Sequence, residues 1–558
     1  MAQGVVVVAV ADRQAGGVVT DELERRYGGD YRVVRSYSAS AAVGVLEKLA
    51  EERESVAVLL ADKAAAEEEN NLLLATCRER HPTAKRGLLV GAADPAATPI
   101  ILRLMAVGLI DTFVPIPQRS PDEQFHRAIS EFLEEWASGH LPAPDVVTIV
   151  GERWNQRSYE LRDLLGRAGV PYTFHDARSA EGREVLTAHG MAGGTAPVVV
   201  IGGQAVANPS TEQLADALGA SVDVASETHD VTVVGAGPAG LSAAVYAASE
   251  GLRTLVIEEG AFGGQAASSS LIRNYLGFPH GVSGAELARR AYGQAVIFGA
   301  AFHFGRRAVD LYPDNQVLRL GLSDGSSLWT RSVVIATGVA WRRLDVPSLE
   351  ARVGAGVFYG AAVSEAKALE GEVVYVVGGG NSAGQAAVHL ARYARRVTVL
   401  VRGNTLASSM SEYLIRQLQA APNIAIRYRT KAVDGHGSGR LERLTLADPV
   451  TGAREEVPAS GLFVLIGAEP SAGWLRGRIE LDTAGYVLTG SEVTAAGGRP
   501  GTRSPFLLET SVPGVFAAGD VRSGSIKRVA SAVGEGALAI QLCHQYLAAP
   551  AFAEGSTS

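Results

Sequence analysis

Chemistry in this sequence has to begin at two clusters of glycine. Gly235, Gly237 and Gly240 stand in the spacing G-x-G-x-x-G after the apolar run DVTVV, with Pro238 and Ala239 between them, and Glu258 closes the next apolar run, TLVIE. In a strand-turn-helix unit each has a task. Gly235 allows the tight turn, Gly237 lets a pyrophosphate lie against the backbone, and Gly240 lets helix and strand approach. The helix N-terminus favours the phosphate charge, and the acid accepts hydrogen bonds from a ribose diol. The second cluster, Gly378-x-Gly380-x-x-Ala383, follows EVVYVV and contains Asn381 and Ser382; its next strand ends in Val401-Arg402-Gly403 instead of an acid. An acid binds a 2'-hydroxyl and repels a 2'-phosphate, whereas arginine does the opposite, so Arg402 favours NADPH and leaves NADH possible. A solvated surface arginine is the equal alternative for Arg402. Two dinucleotide sites in one chain imply hydride exchange between a bound flavin and a visiting nicotinamide.

The rest of the polar inventory is quiet. Cys77 and Cys543 are the only cysteines, far apart and in neither a CxxC nor a metal-ligand spacing, so they read as two buried thiols. No nucleophile-base triad, paired carboxylates or metal cluster stands out, and no catalytic side chain or metal ligand is assigned. Lys and Arg number 51 against 59 Asp and Glu, which points away from nucleic acid and towards small molecules or proteins as partners. The short apolar N-terminus MAQGVVVVAVA has no basic flank and reads as a first strand. With no transmembrane run, the expected place is the cytosol.

These clusters need strands and helices to hold them, and 558 residues are enough for several domains. Residues 1–138 alternate apolar strand runs (VVVVAVA, VAVLLA, RGLLVGA, IDTFVPI) with helical stretches such as AVGVLEKLAEE, which predicts a small parallel α/β domain. ASGHLPAPD reads as a linker. Residues 146–220 start again with strand VVTIVG, helix, strand PYTFHDA, helix and an apolar strand pair around TAPVVVIGGQAV. GASVDVASETHD is a second linker, a nucleotide-binding architecture runs to about residue 548, and the last residues read as a tail.

Several further segments carry a resemblance. GGQAASSSLIRNYLGFPHGVSG, VVIATGVAWRRL and VPGVFAAGDVRSGSIKRVASAVGEGALAI closely resemble the flavin-contacting segments of the low-molecular-weight thioredoxin reductase family, over residues 228–548 nearly end to end. By that likeness Gly263, Gly264, Gln265 and Asn274 line an FAD, and Ala336, Thr337 and Gly338 close over its adenosine side. Gly519 and Asp520 of AAGD hold the ribityl chain, while Arg528, Val529 and Ala530 run past the flavin ring at a helix N-terminus. The resemblance implies an FAD domain in two parts, 228–343 and 454–548, with an NAD(P)H domain, 344–453, inserted between them. It also implies a homodimer through the FAD domain. In the family the inserted domain swivels, with hinges here near RRLDVPS and TGAREEVPA.

The family's CxxC pair and its following acid fall on Gly360, Val363 and Ser364, which can neither form a thiolate nor hold a disulfide; Glu365 stands one place later. Of the family's three phosphate-binding arginines only Arg402 has a counterpart, the others falling on Gly403 and Ala407. Upstream, TIVGERWNQRSYELRDLLGRAGVPYTF resembles a glutaredoxin entry, with Pro197 at the cis-proline position but Asn155, Gln156, Arg157 and Ser158 in place of CPYC. The first domain resembles a response-regulator receiver, with Asp62 at the phospho-acceptor position and Asp12 at a metal-binding acid. Ala11, Val90 and Ile116 replace the second acid, the hydroxyl residue and the lysine. The expected fold class is α/β, two Rossmann-like three-layer domains preceded by a flavodoxin-like receiver domain and a thioredoxin-like domain. The expected function is an FAD-dependent NAD(P)H oxidoreductase that passes electrons to a small-molecule or protein acceptor without a CxxC disulfide. The alternatives are a redox or ligand sensor that docks partners, and a true thioredoxin-disulfide reductase.

Overall fold

The computed structural model describes residues 4–548, apart from 92–93, 95–96, 138–146, 192, 195–196, 223, 225–227, 270–271, 273, 279–280, 315–316, 361–365 and 496–502. Most of the first linker, part of the second and the tail therefore lie outside the described residues. The chain forms two compact units, one of Met1–Ala143 with Ala366–Lys431 and the other of Pro144–Glu365 with Ala432–Ser558.

In the first unit β1 (Gly4–Ala9), β2 (Tyr31–Ser36), β3 (Val56–Ala61), β4 (Lys85–Val90) and β5 (Thr112–Pro115) make a parallel sheet in the order β2-β1-β3-β4-β5. Every residue of β1 and β3 is buried, which is why these strands read as unbroken apolar runs: helices cover both faces of a parallel sheet. β2 has no such run, because Arg32 and Arg35 interrupt YRVVRS. Asp12 and Asp62 both serve as helix caps. Asp12 accepts the N–H groups of Gln14 and Ala15, each at 2.8 Å; Asp62 accepts those of Ala11 and Ala65, also at 2.8 Å.

The second unit opens with β6 (Val147–Gly151), β7 (Tyr172–Asp176), β8 (Val198–Ile201) and β9 (Gln204–Ala207), in the order β7-β6-β8-β9, with β6 and β7 parallel and β8 and β9 antiparallel. Asn155 caps the Gln156–Arg167 helix by accepting the N–H of Ser158 at 3.1 Å, and the buried Ser158 Oγ has no hydrogen-bond partner. A Cβ on Gly151 would meet that oxygen at 2.5 Å and Pro197 Cβ at 3.1 Å, so Ser158 and Pro197 share one corner. The residue before Pro197 lies outside the described residues.

The unit's large sheet has the order β12-β11-β10-β15-β14-β13, with one further strand beside β15. β10 (His229–Val234), β11 (Thr254–Glu258), β12 (Ala301–Phe304) and β15 (Ser327–Ile335) run parallel, whereas β13 (Ala308–Asp314) and β14 (Val317–Leu322) form an antiparallel extension. β16 (Val339–Trp341) and β17 (Val357–Tyr359) follow. β18 (Val373–Val377), β19 (Arg396–Val401) and β20 (Ile424–Tyr428), which belong to the first unit, are parallel neighbours in sequence order. Back in the second unit, β21 (Lys431–His436), β22 (Arg443–Ala447) and β23 (Arg454–Pro458) make a three-stranded sheet. β24 (Gly461–Val464) pairs parallel with β17, β25 (Ala468–Pro470) antiparallel with β16, and β26 (Val515–Ala517) parallel with β15. These Rossmann-like parallel sheets make the chain α/β. Among the described residues no helix is long and apolar enough to cross a membrane, and no group of three or more His, Cys, Asp or Glu is placed to hold a metal.

Candidate functional site

The first glycine cluster sits where β10 turns into the Pro238–Ser249 helix. Gly235 has φ +105°, a region closed to most L-residues, and a Cβ there would lie 2.5 Å from the carbonyl oxygen of Ala336. Gly240 is the point of closest approach: its Cβ would lie 1.8 Å from the Gly235 oxygen. Gly237 is different. It caps the helix in extended conformation, and a Cβ there would meet no atom within 4 Å. That open space at a helix N-terminus, with Pro238 at the first helical position, is the shape a pyrophosphate fills.

Around this space the second unit gathers the other predicted residues. Gly263 and Gly264 both have positive φ, and the Gly263 N–H donates to the Ala236 carbonyl at 2.7 Å, folding the loop back over the first turn. Gln265 donates its amide to the Val339 carbonyl. Ala336 is buried, Gly338 has φ +63°, and between them the buried Thr337 Oγ1 has no hydrogen-bond partner. An orphaned buried hydroxyl beside the cradle fits a polar ligand, as does Glu258. The Glu258 carboxylate accepts the N–H groups of Ala236 at 2.7 Å and Gly260 at 2.9 Å. Burial pushes its pKa up, and those two N–H groups with Arg167 offset part of the shift. A desolvated carboxylate of this kind gains from two ribose hydroxyl donors.

Gly519 and Asp520 lie beside the same helix, and a Cβ on Gly519 would stand 2.9 Å from Ala239 Cβ. Burial raises the Asp520 pKa and Lys527 lowers it, while the Lys527 ammonium donates to the Asp520 carbonyl at 2.6 Å. Arg528 is the N-cap of the Val529–Leu547 helix, so the N–H groups of Val529 and Ala530 fall in its unsatisfied first turn. A cavity of about 220 Å³, lined by Pro238, Gly263, Tyr275, Ala288 and Val529 among others, links the two helix starts. Asn274 is exposed. The sequence reading missed Glu535, which accepts the Gly519 N–H at 2.7 Å and pairs with Arg522 at 2.7 Å, pinning the GD turn from within the Val529–Leu547 helix. Gly536 gave the matching signal: a Cβ there would overlap the Ala239 carbonyl, so the two helices touch through it.

In the first unit the second cluster has the same local form. Gly378 has φ +149° and donates to Leu400 across the sheet at 3.1 Å, and Gly380 caps the Asn381–Leu390 helix. Asn381 Oδ1 accepts the Ser411 N–H at 2.8 Å, Ser382 is exposed, and Ala383 is fully buried where the helix meets the strand. Arg402 is exposed just past the end of β19.

The backbone at Gly360 leaves little room for a side chain. Gly360 has φ +83°, and the point its Cβ would take lies 2.9 Å from Trp341 Nε1 and 3.1 Å from Trp341 Cε2. Val363, Ser364 and Glu365 lie outside the described residues. Cys77 and Cys543 are both buried and free, and burial pushes each thiol up to about 12. A thiol held so far above neutrality supplies no thiolate.

Residues 229–536, more than half of the chain, match the family model for pyridine nucleotide-disulphide oxidoreductases. The chain belongs to that family. The chain is 32% identical over 324 residues to the thioredoxin reductase of Bacillus subtilis, which covers 57% of the chain and 95% of that relative. It is 34% identical over 336 residues to the NADPH-dependent thioredoxin reductase 3 of Arabidopsis thaliana, of which it covers 58%. The solved thioredoxin reductase of Lactococcus lactis superposes on 57% of the chain and 99% of its own length, with TM-score 0.52 and 27% identity.

Proposed function

We propose that the chain is an FAD-dependent NAD(P)H oxidoreductase that delivers electrons to an external acceptor without a cysteine relay. Bound in the two cradles, FAD and NADPH would supply hydride transfer. The protein supplies placement. Gly235 and Gly237 clear the pyrophosphate's path, Glu258 and Thr337 offer polar atoms to the adenosine half, and Asp520 does so for the ribityl side. The first-turn N–H groups of Val529 and Ala530 present positive dipole to the negative charge of a reduced ring. In the second cradle Gly378, Gly380 and Asn381 take the pyrophosphate, and Arg402 reads the 2'-phosphate.

The single observation that carries the relay-free reading is Trp341 in the space of a Gly360 side chain, at a backbone angle that disfavours cysteine. The two thiols elsewhere are buried and protonated. The acceptor is then a quinone, a small oxidised metabolite, O₂ or a redox protein that meets the flavin directly. Domains 1–138 and 146–220 read as receiver-like and thioredoxin-like modules kept for docking, because Asp12, Asp62 and Asn155 serve as helix caps. Anaerobic mixing with NADPH is the test: the flavin absorbance should bleach, and added thioredoxin disulfide should give no turnover. A flavin that stays oxidised, or sustained thioredoxin reduction, would overturn the reading.

A further inference from the structure

The four-stranded domain β6–β9 contains no cysteine, and it is bound to the rest of its unit by specific contacts. Its Thr211–Ala217 helix packs on Gly305, whose φ is +79° and whose Cβ would meet Ala215 Cβ, Glu212 Cα and the Thr211 oxygen, all at 3.0 Å. Arg306 forks onto Asp216 at 2.7 and 3.0 Å and reaches Ser221 at 2.9 Å, while Ser323 donates to Glu212 at 3.1 Å. The Phe304 N–H donates to the Ala220 carbonyl at 3.2 Å. These contacts fasten the domain to the end of β12, the neighbour of β11.

The Gln156–Arg167 helix then spans two places that matter for the cofactor. Its first turn lies against the start of the inserted segment: a Cβ on Gly354 would meet Gln156 Cα and Tyr159 Cβ at 2.9 Å, and the Tyr159 and Phe358 rings are 5.4 Å apart. Its last turn lies on the loop after β11. The Arg167 Nη2 and Leu164 Cδ1 atoms are each 3.9 Å from the point a Gly260 Cβ would take. Gly260 is the residue whose N–H holds Glu258 in place. Arg167 also forms an ion pair of its Nε with Asp163 Oδ2 at 2.9 Å, one turn back along the helix. Its charge also favours the ionised form of Glu258, the form that accepts ribose hydroxyls.

We infer that Arg167 is a further binding residue for the adenosine end of FAD, so that cofactor binding and docking of the β6–β9 domain stabilise each other. The β6–β9 domain would then serve as a cover completing the flavin site. The inference rests on the reading of the first cradle as an FAD site. Linkage makes it measurable in both directions.

Flavin-stripped protein is titrated with FAD by flavin fluorescence, and limited proteolysis within residues 219–228 is followed with and without FAD. Arg167→Ala should weaken FAD on the order of fivefold to tenfold, with Arg167→Lys between it and the natural chain, because a planar fork and its charge are both lost in alanine. FAD should slow cleavage in the natural chain and lose that effect in Arg167→Ala. Arg306→Ala, remote from the cradle, should speed cleavage and also weaken FAD, which keeps the test sound if Arg167→Ala fails to fold. The inference is overturned if Arg306→Ala frees the domain while FAD affinity stays unchanged, or if Arg167→Ala binds FAD as tightly as the natural chain. A natural chain that binds no FAD would refute the cofactor assignment itself instead.

Discussion

Gly237 and Gly240 are three residues apart and should respond in opposite ways to one added methyl group. Gly237 has φ −72° and ψ −177°, which alanine adopts freely, and no atom lies within 4 Å of the added carbon. Gly237→Ala should therefore leave the flavin-free protein folded and change its stability by no more than about 1 kcal/mol, because the smaller entropy of the unfolded chain is offset by alanine's poorer fit as a helix N-cap. The same methyl would occupy the pyrophosphate's space. Losing one backbone bond to a charged phosphate is worth about 1.5–3 kcal/mol, or roughly tenfold to hundredfold in FAD affinity. Gly240→Ala should do the reverse. Its carbon would stand 1.8 Å from the Gly235 oxygen and 2.9 Å from the Gly235 carbonyl carbon, so helix and strand must part, at a cost of about 1–3 kcal/mol or more. Thermal melting of stripped protein followed by FAD titration separates the two effects. Gly237→Ala protein that binds FAD normally, or melts well below the natural chain when stripped, would refute the reasoning.

Three further outcomes are expected. Placing cysteines at 360 and 363 should not create a thioredoxin reductase: φ +83° strains a non-glycine residue by about 1–2 kcal/mol, and the Trp341 indole stands in the way. An assay with thioredoxin disulfide checks this, and turnover would contradict it. Arg402→Ala should raise the KM for NADPH about tenfold and leave that for NADH unchanged; an unchanged KM for NADPH would make Arg402 a surface residue with no part in binding. Burial raises the Glu258 pKa in the folded protein, so the folded state holds that proton more tightly than the unfolded one. The flavin-free protein should lose stability as pH rises from the ordinary glutamate value through the raised one, and Glu258→Gln should flatten that slope in melting curves.

Much of this could be read before any coordinates. The glycine spacings marked both strand-turn-helix units, since a tight turn and a helix-strand approach need glycine whatever surrounds them, and the all-apolar runs of β1 and β3 marked a parallel sheet covered on both faces. β2 escaped because two arginines break its run, and the β13–β14 extension and the β21–β23 sheet because short alternating strands leave a weak signal. Glu535 and Trp341 escaped for another reason. Each acts across a long stretch of sequence, Glu535 on the Gly519 turn and Trp341 on Gly360, and nothing in local pattern or composition pairs them. Asp12 and Asp62 illustrate the converse: a familiar acid position was visible, but its use as a helix cap needed the hydrogen bonds.

Whether electrons leave the flavin without a thiol is answered most directly by a chain with no thiol to offer. Cys77→Ala/Cys543→Ala protein, reconstituted with FAD, reduced anaerobically by NADPH and then mixed with ferricyanide or a quinone, should reoxidise at the rate of the natural chain. Collapse of that reoxidation rate, with flavin binding intact, would contradict the account.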